Sequence, residues 1–150
     1  MIRLVALLLV LAVPALAEAP AAVPKPTRKQ VLVPGAGTVP LSAVVRAGEL
    51  VFVSGQLGFS QGSRELVSGG VGPETQAALA GVAANLAKAS LGMEDVVKCT
   101  VFLADIADFQ TMNSVYTKFF PKDPPARSTI AAAGLVLNAK VEIECIAVTK

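Results

Sequence analysis

The stretch Pro125-Ala126-Arg127-Ser128 places a single arginine after a turn and before a strand-like run. A guanidinium group is planar, always charged, and offers paired donors that match a carboxylate or a phosphate. On composition alone, an arginine after Pro-Pro-Ala is more often a solvated loop residue. Arg127 is therefore a candidate anion-binding residue whose role depends on the side chains that surround it.

Three further polar positions could contribute to a site with Arg127. Ser54-Gly55-Gln56 ends a strand-like run, where a glycine allows close backbone approach to a ligand, although it is also an ordinary way to end a strand. Asn113 lies beside the apolar stripe of a helix and could face core or pocket. Glu142 alternates with apolar residues and, taken alone, reads as a surface strand residue.

Charge and residue usage exclude several function classes. The chain has 13 Lys+Arg, 11 Asp+Glu and no histidine. So balanced a charge argues against a nucleic-acid partner, and the lack of histidine removes the commonest general base and metal ligand. We expect no metal site, and nothing indicates a cofactor. Cys99 and Cys145 lie in apolar runs, so buried, unreactive thiols are expected, with a disulfide as the second possibility.

The N-terminus resembles an export signal. Arg3 precedes an apolar run over 4–13, and Ala15-Leu16-Ala17 fits a cleavage site. An uncleaved membrane anchor is the alternative, although the run is short for a bilayer. We predict a signal peptide over 1–17, a proline-rich linker over 18–30 and one domain over 31–150. The mature protein would be periplasmic or secreted, without stable membrane association.

The elements that must position these residues follow from hydrophobic periodicity. A helix is predicted to begin at Pro73 and to end near Ser90. A second helix, capped by Asp105 or Asp108, carries an apolar stripe at helical spacing. That stripe consists of Phe109, Met112, Tyr116 and Phe119. Strands are predicted over 31–33, 42–46, 49–54, 96–103, 127–132 and 141–148.

This order of elements predicts a two-layer α+β domain, with two helices on one face of a mixed, six-stranded sheet. The other face of the sheet must also be covered. Self-association is the simplest way for so apolar a chain to cover it.

Several short motifs together resemble the RidA (YjgF) family of enamine/imine deaminases, in the right order over roughly residues 30–150. They are Val53-Ser54-Gly55-Gln56, Glu94-Asp95-Val96-Val97-Lys98, Val101-Phe102, Asp108-Phe109, Asn113, Tyr116, Phe119-Phe120, Pro125-Ala126-Arg127-Ser128 and Val141-Glu142-Ile143-Glu144. The resemblance implies a chorismate-mutase-like fold, a homotrimer with ligand sites between subunits, and hydrolysis of 2-imino acids to 2-keto acids and ammonia.

The resemblance also implies roles for individual residues. Arg127 matches the arginine that grips the substrate carboxylate, and Glu142 matches the glutamate near the attacking water. Gly55 matches the glycine whose backbone N–H assists. Asn113 matches an asparagine that lines the cleft, and Ser54 matches the serine before the glycine.

The chain departs from the family pattern at three places. Leu41 follows Pro40 where a tyrosine is usual, so the cleft loses a hydroxyl and a different substrate side chain is expected. Thr129 replaces a common cysteine, at a position expected to contribute its backbone carbonyl. The loop over 134–137 lacks the usual Leu-Pro.

Two other functions compete with the deaminase. One is a non-catalytic protein that binds small carboxylates, or another partner, on the same trimer; Leu41 and the export signal motivate it. The other is the ribonuclease or translation-inhibitor activity of some relatives, for which the near-neutral charge and the lack of histidine are a poor fit.

Overall fold

The structure, a computed structural model, describes residues 28–149. The predicted signal peptide, and the linker as far as residue 27, lie outside the described residues. Within residues 28–149, no helix is long and apolar enough to cross a membrane.

The described chain folds into one mixed sheet and two helices. In chain order, the elements are β1 (Gln30–Pro34), β2 (Ser42–Ala47), β3 (Leu50–Leu57), α1 (Val71–Lys88), β4 (Val96–Leu103), α2 (Phe109–Phe119), β5 (Ala126–Ala131) and β6 (Val141–Val148). The strand order is β1-β2-β3-β6-β4-β5. The β4–β5 pair is parallel and every other pair is antiparallel. The predicted α+β class with a six-stranded sheet is confirmed.

The core lies between the helices and one face of the sheet. From α1, Leu79, Val82 and Leu86 are fully buried against β3 and β6, and α2 packs beside α1. Burying a leucine side chain contributes roughly 1.5–3 kcal/mol relative to leaving it exposed. Glu74, also buried in the first turn of α1, accepts a hydrogen bond at 2.7 Å from the backbone N–H of Lys140, and this ties α1 to the start of β6.

Two predicted boundaries were wrong. Helix α1 begins at Val71 rather than at Pro73. The first N–H groups of a helix have no partner within it, so proline is tolerated throughout the first turn. Strand β3 does not end at Ser54; it continues to Leu57 through a register shift between Val53 and Gln56. A β-bulge inserts a residue without ending the strand.

The expectation of unreactive thiols was also wrong, because Cys99 and Cys145 form a disulfide. The two residues lie directly opposite each other on β4 and β6, with Cα atoms 4.1 Å apart. Both are buried, as expected. The bond follows from the pairing of β4 with β6, which the sequence pattern did not provide.

The face of the sheet away from the helices is open in the single chain and exposes several apolar residues beside polar ones such as Glu142. Leu50 and Phe52 alternate with buried residues of β3 and are 41% and 39% exposed, and Ile130 of β5 is 51% exposed. Exposed apolar groups on a continuous sheet face indicate a surface for association.

Candidate functional site

The side chain of Arg127 lies between β5 and α2. Arg127 is the register partner of the buried Cys99, so its side chain is directed to the helix side of the sheet. Its Nη2 donates a hydrogen bond at 2.8 Å to Oδ1 of Asn113. Its guanidinium carbon lies 4.5 Å from the ring centroid of Tyr116 and 5.5 Å from that of Phe109. Within residues 28–149, no carboxylate forms an ion pair with Arg127.

Helix α2 holds the guanidinium because of its residue spacing. Phe109, Asn113 and Tyr116 stand at i, i+4 and i+7, so one helical face presents two rings and an amide to Arg127. Cation–π contacts of this kind contribute about 0.5–2 kcal/mol each. The arginine is thus fixed by groups that leave its positive charge uncompensated.

Arg127 forms part of the wall of a cleft of about 360 Å³. The cleft is lined by Asn113, Tyr116, Thr117, Phe120, Pro124, Pro125 and Arg127. Apolar walls lower the local dielectric constant and strengthen the attraction between the guanidinium and an anion. This arrangement can bind one small carboxylate or a similar anion.

Two buried hydroxyl groups near Arg127 have no hydrogen-bond partner among the described residues, namely those of Tyr116 and Thr129. Thr129 lies two residues after Arg127 on β5, and its side chain therefore faces the same side of the sheet. Burial raises the pKa of Tyr116 to about 12, although the charge of Arg127 opposes the shift. Tyr116 is consequently a neutral phenol at physiological pH.

The other candidate residues lie together on the opposite face of the sheet. Gly55 is in the β3 bulge and packs against Glu142, and a side chain at position 55 would overlap Oε1 of that carboxylate. Ser54 donates from Oγ to the carbonyl oxygen of Ser42 at 2.7 Å, next to Leu41, which is half exposed. Gly55 therefore keeps its backbone against Glu142 because it lacks a Cβ.

The carboxyl group of Glu142 is electrostatically perturbed. Partial burial raises its pKa above the ordinary value, and the nearby charge of Glu144 raises it further. A carboxylate with a raised pKa is a stronger proton acceptor when ionised.

Arg127 and Glu142 do not share a cleft within one chain. Glu142 is the register partner of Phe102, three residues along β4 from Cys99, the partner of Arg127. Because side chains alternate along a strand, positions three apart face opposite sides of the sheet. The structure brings Arg127 together with Asn113 near Thr129, and Glu142 together with Gly55 near Ser54 and Leu41.

Part of the cleft was not predicted from the sequence. Phe109 and Tyr116 were predicted only as an apolar core stripe, yet both rings also contact Arg127. Their helical spacing with Asn113 was the available signal. Pairing that face with Arg127 requires knowing that α2 packs over β5.

The sequence profile of the family described as Endoribonuclease L-PSP matches residues 34–149. The chain belongs to this family. Its relatives confirm the resemblance to RidA drawn from the sequence motifs. The chain is 45% identical over 108 residues to Reactive Intermediate Deaminase A, chloroplastic, of Arabidopsis thaliana, covering 72% of this chain and 58% of that protein.

Two further comparisons agree with this assignment. The 2-iminobutanoate/2-iminopropanoate deaminase of Bos taurus is 43% identical over 109 residues, which cover 73% of this chain and 80% of that protein. The crystal structure of E. coli TdcF with bound serine superposes with a TM-score of 0.72 at 35% identity, covering 81% of this chain and 96% of that one.

Proposed function

We propose that this protein hydrolyses 2-imino acids, or their enamine tautomers, to 2-keto acids and ammonia. The observation that carries the proposal is Arg127, whose charge is held by Asn113 and two aromatic rings and is paired with no carboxylate in the described chain. Related proteins named as 2-iminobutanoate/2-iminopropanoate deaminases support the same reaction.

The proposed mechanism needs little beyond binding and proton transfer. Arg127 pairs with the substrate carboxylate and so fixes C2, which is electrophilic in an iminium ion. A water molecule forms a bond to C2 while the carboxylate of Glu142 takes one of its protons. Glu142 returns the proton to the nitrogen of the resulting carbinolamine. The C–N bond then breaks while the C2 hydroxyl gives its proton back to Glu142, so that ammonia and the 2-keto acid are released. Positioning supplies much of the rate, and the backbone N–H of Gly55 helps to hold the reacting groups.

We also propose that the complete site forms between copies of the chain in a homotrimer. Arg127 and Glu142 face opposite sides of one sheet, so a shared cleft requires a second subunit. The exposed apolar residues Leu50, Phe52 and Ile130 support association through the open side of the sheet.

The decisive experiment generates 2-imino acids in situ with an amino-acid oxidase and traps them with semicarbazide. Wild-type protein should lower the amount of trapped product, and Arg127→Ala should lower the rate by about 10- to 100-fold, since a charge-assisted pair contributes about 1.5–3 kcal/mol. Arg64→Ala, which removes an exposed arginine, is the matched control and should keep full activity. A wild-type rate in Arg127→Ala would remove Arg127 from the mechanism.

A non-catalytic carboxylate-binding protein is the second candidate. Leu41, which replaces a hydroxyl-bearing residue of the family pattern, and a relative solved with bound serine favour it. If no imino acid is hydrolysed while calorimetry detects Arg127-dependent binding of serine or a 2-keto acid, this candidate replaces the deaminase. The near-neutral charge favours neither RNA cleavage nor nucleic-acid binding.

We propose in addition that the protein is exported, to the periplasm or the medium, without stable membrane association after cleavage. The signal-like sequence over 1–17 supports this, and so does the disulfide, since disulfides persist mainly in oxidising compartments. Cell fractionation should find the protein outside the cytosol. Its intact mass should match a chain that begins at Glu18. A cytosolic protein retaining residues 1–17 would contradict it.

A further inference from the structure

The bulge at Ser54 and Gly55 is held by the side chain of the next residue. Nε2 of Gln56 donates to the carbonyl oxygen of Ser54 at 2.8 Å and to that of Gly55 at 3.2 Å. A bulge disturbs the regular hydrogen-bond ladder of a strand. The Gln56 amide thus binds two backbone carbonyls at the bulge.

The Gln56 side chain is itself held by helix α1. Nδ2 of Asn85, which is only 8% exposed, donates to Oε1 of Gln56 at 3.1 Å. Gly81 lies one turn earlier on α1, and a Cβ there would stand 3.1 Å from the same oxygen. The glycine therefore leaves room for the Gln56 amide.

The direction of these hydrogen bonds is fixed. Carbonyl oxygens can only accept, so the donor end of the Gln56 amide must face Ser54 and Gly55. Its acceptor end then needs a donor from α1, which Asn85 supplies. A long-range connection thus runs from the last turn of α1 to the backbone that contacts Glu142.

We propose that Gln56 and Asn85 are positioning residues, which fix the bulge so that Gly55 and Glu142 stand in their working arrangement. This inference rests on the proposed function for its catalytic consequence. Because Gly55 packs directly on the Glu142 carboxylate, a shift of the bulge displaces both the backbone N–H and the proposed base. Misplacement by about 1 Å can reduce a rate by about 100-fold.

A double-mutant cycle separates positioning from simple stabilisation. Asn85→Ala and Gln56→Ala should each lower kcat by about 10-fold or more while the KM changes little, since Arg127, on the other face of the sheet, still binds the carboxylate. If Asn85 acts through Gln56, the double variant should be no slower than Gln56→Ala alone. Additive losses, or an unchanged kcat in folded Asn85→Ala, would overturn the inference.

Isosteric variants and a matched control sharpen the test. Gln56→Glu places an acceptor oxygen against two carbonyls, and Asn85→Asp cannot donate, so both should reproduce the loss of kcat. Thr75→Val alters an equally buried polar residue of α1 whose hydroxyl bonds only within its own helix, and it should keep the wild-type kcat. An equal loss of kcat in Thr75→Val would show that the effect of Asn85→Ala reflects the general stability of the helix and not the hydrogen bond to Gln56.

A spectroscopic readout keeps this inference distinct from the proposed activity. In ¹⁵N-labelled protein, the Gly55 amide resonance should shift, and its hydrogen exchange should accelerate, in Asn85→Ala but not in Thr75→Val. If wild-type protein hydrolyses no imino acid, the proposed function fails, and a shifted Gly55 resonance would still support the role of Asn85. An unchanged Gly55 resonance in Asn85→Ala would overturn that role whatever the activity.

Discussion

The ring and the hydroxyl of Tyr116 have different consequences at the Arg127 cleft. The ring lies 4.5 Å from the guanidinium carbon, whereas the hydroxyl is buried without a partner in the described chain. A buried polar group without a hydrogen bond costs about 1–3 kcal/mol. The ring therefore holds the arginine, whereas we expect the hydroxyl to contribute no stability in the single chain.

We predict that Tyr116→Phe leaves the free energy of unfolding unchanged or raises it by up to ~1 kcal/mol, with KM preserved. Tyr116→Leu removes the ring and should raise KM several-fold, because a contact of about 0.5–2 kcal/mol is lost. Urea denaturation and steady-state kinetics measure the two effects. A Phe variant as impaired as the Leu variant would show that the hydroxyl acquires a partner in the assembled protein.

The acid limb of the pH profile should depend on Glu144. Burial first, and Glu144 second, raise the pKa of Glu142. Activity needs the ionised base, so kcat/KM falls as pH drops through that pKa. Glu144→Gln removes one cause of the shift and should move the acid limb to lower pH. If the acid limb does not move in a Glu144→Gln variant that keeps wild-type activity at neutral pH, the limb reports the titration of a group other than Glu142.

The raised pKa of Glu142 also makes the stability of the fold depend on pH. A carboxyl group whose pKa is higher in the folded state binds protons more tightly there, so its contribution to stability is present at low pH and is lost as pH rises through the folded pKa. Glu142→Gln should accordingly be inactive yet at least as stable as wild type at neutral pH. Thermal unfolding at pH 7 tests this, and a clear fall in Tm would show that Glu142 also stabilises the fold.

Among the elements, β4 and β6 carry the covalent link of the described chain. The disulfide joins residues separated by 46 positions, and closing a loop of this length restricts the unfolded chain. Urea unfolding with dithiothreitol should therefore show a stability lower by about 2–4 kcal/mol than unfolding without it. Because both measurements use the wild-type sequence, no side chain is removed and no cavity is introduced. Identical midpoints would mean that the disulfide does not form in the protein.

The elements also show what the sequence could predict. Helix α2 and its face follow from local spacing, as does the alternation of β6. The β3 bulge, the disulfide and the contact of Arg127 with α2 depend on which strands and helices become neighbours. The hydrogen bond from Asn85 to Gln56 spans 29 positions, and nothing in either local pattern indicates it. Local sequence patterns therefore predict the elements and their faces but not the long-range pairing between them.

For the whole molecule, the arrangement of the proposed catalytic groups requires assembly. Arg127 and Glu142 lie on opposite faces of one sheet, while the open face exposes Phe52 among other apolar residues. Phe52→Lys should give a folded monomer without activity. Light scattering would report the mass and circular dichroism the fold. A fully active monomer would place the whole site within one chain.

A complementation experiment tests the shared site directly. Arg127→Ala and Glu142→Ala subunits should each form inactive trimers. Unfolded together in equal amounts and refolded, they should form mixed trimers in which about a quarter of the interfacial sites combine an intact Arg127 with an intact Glu142 from different copies. Activity should then return to about that fraction of wild type, whereas the separately refolded variants, mixed afterwards, stay inactive. If both residues had to come from one chain, no mixture of these subunits could restore the reaction.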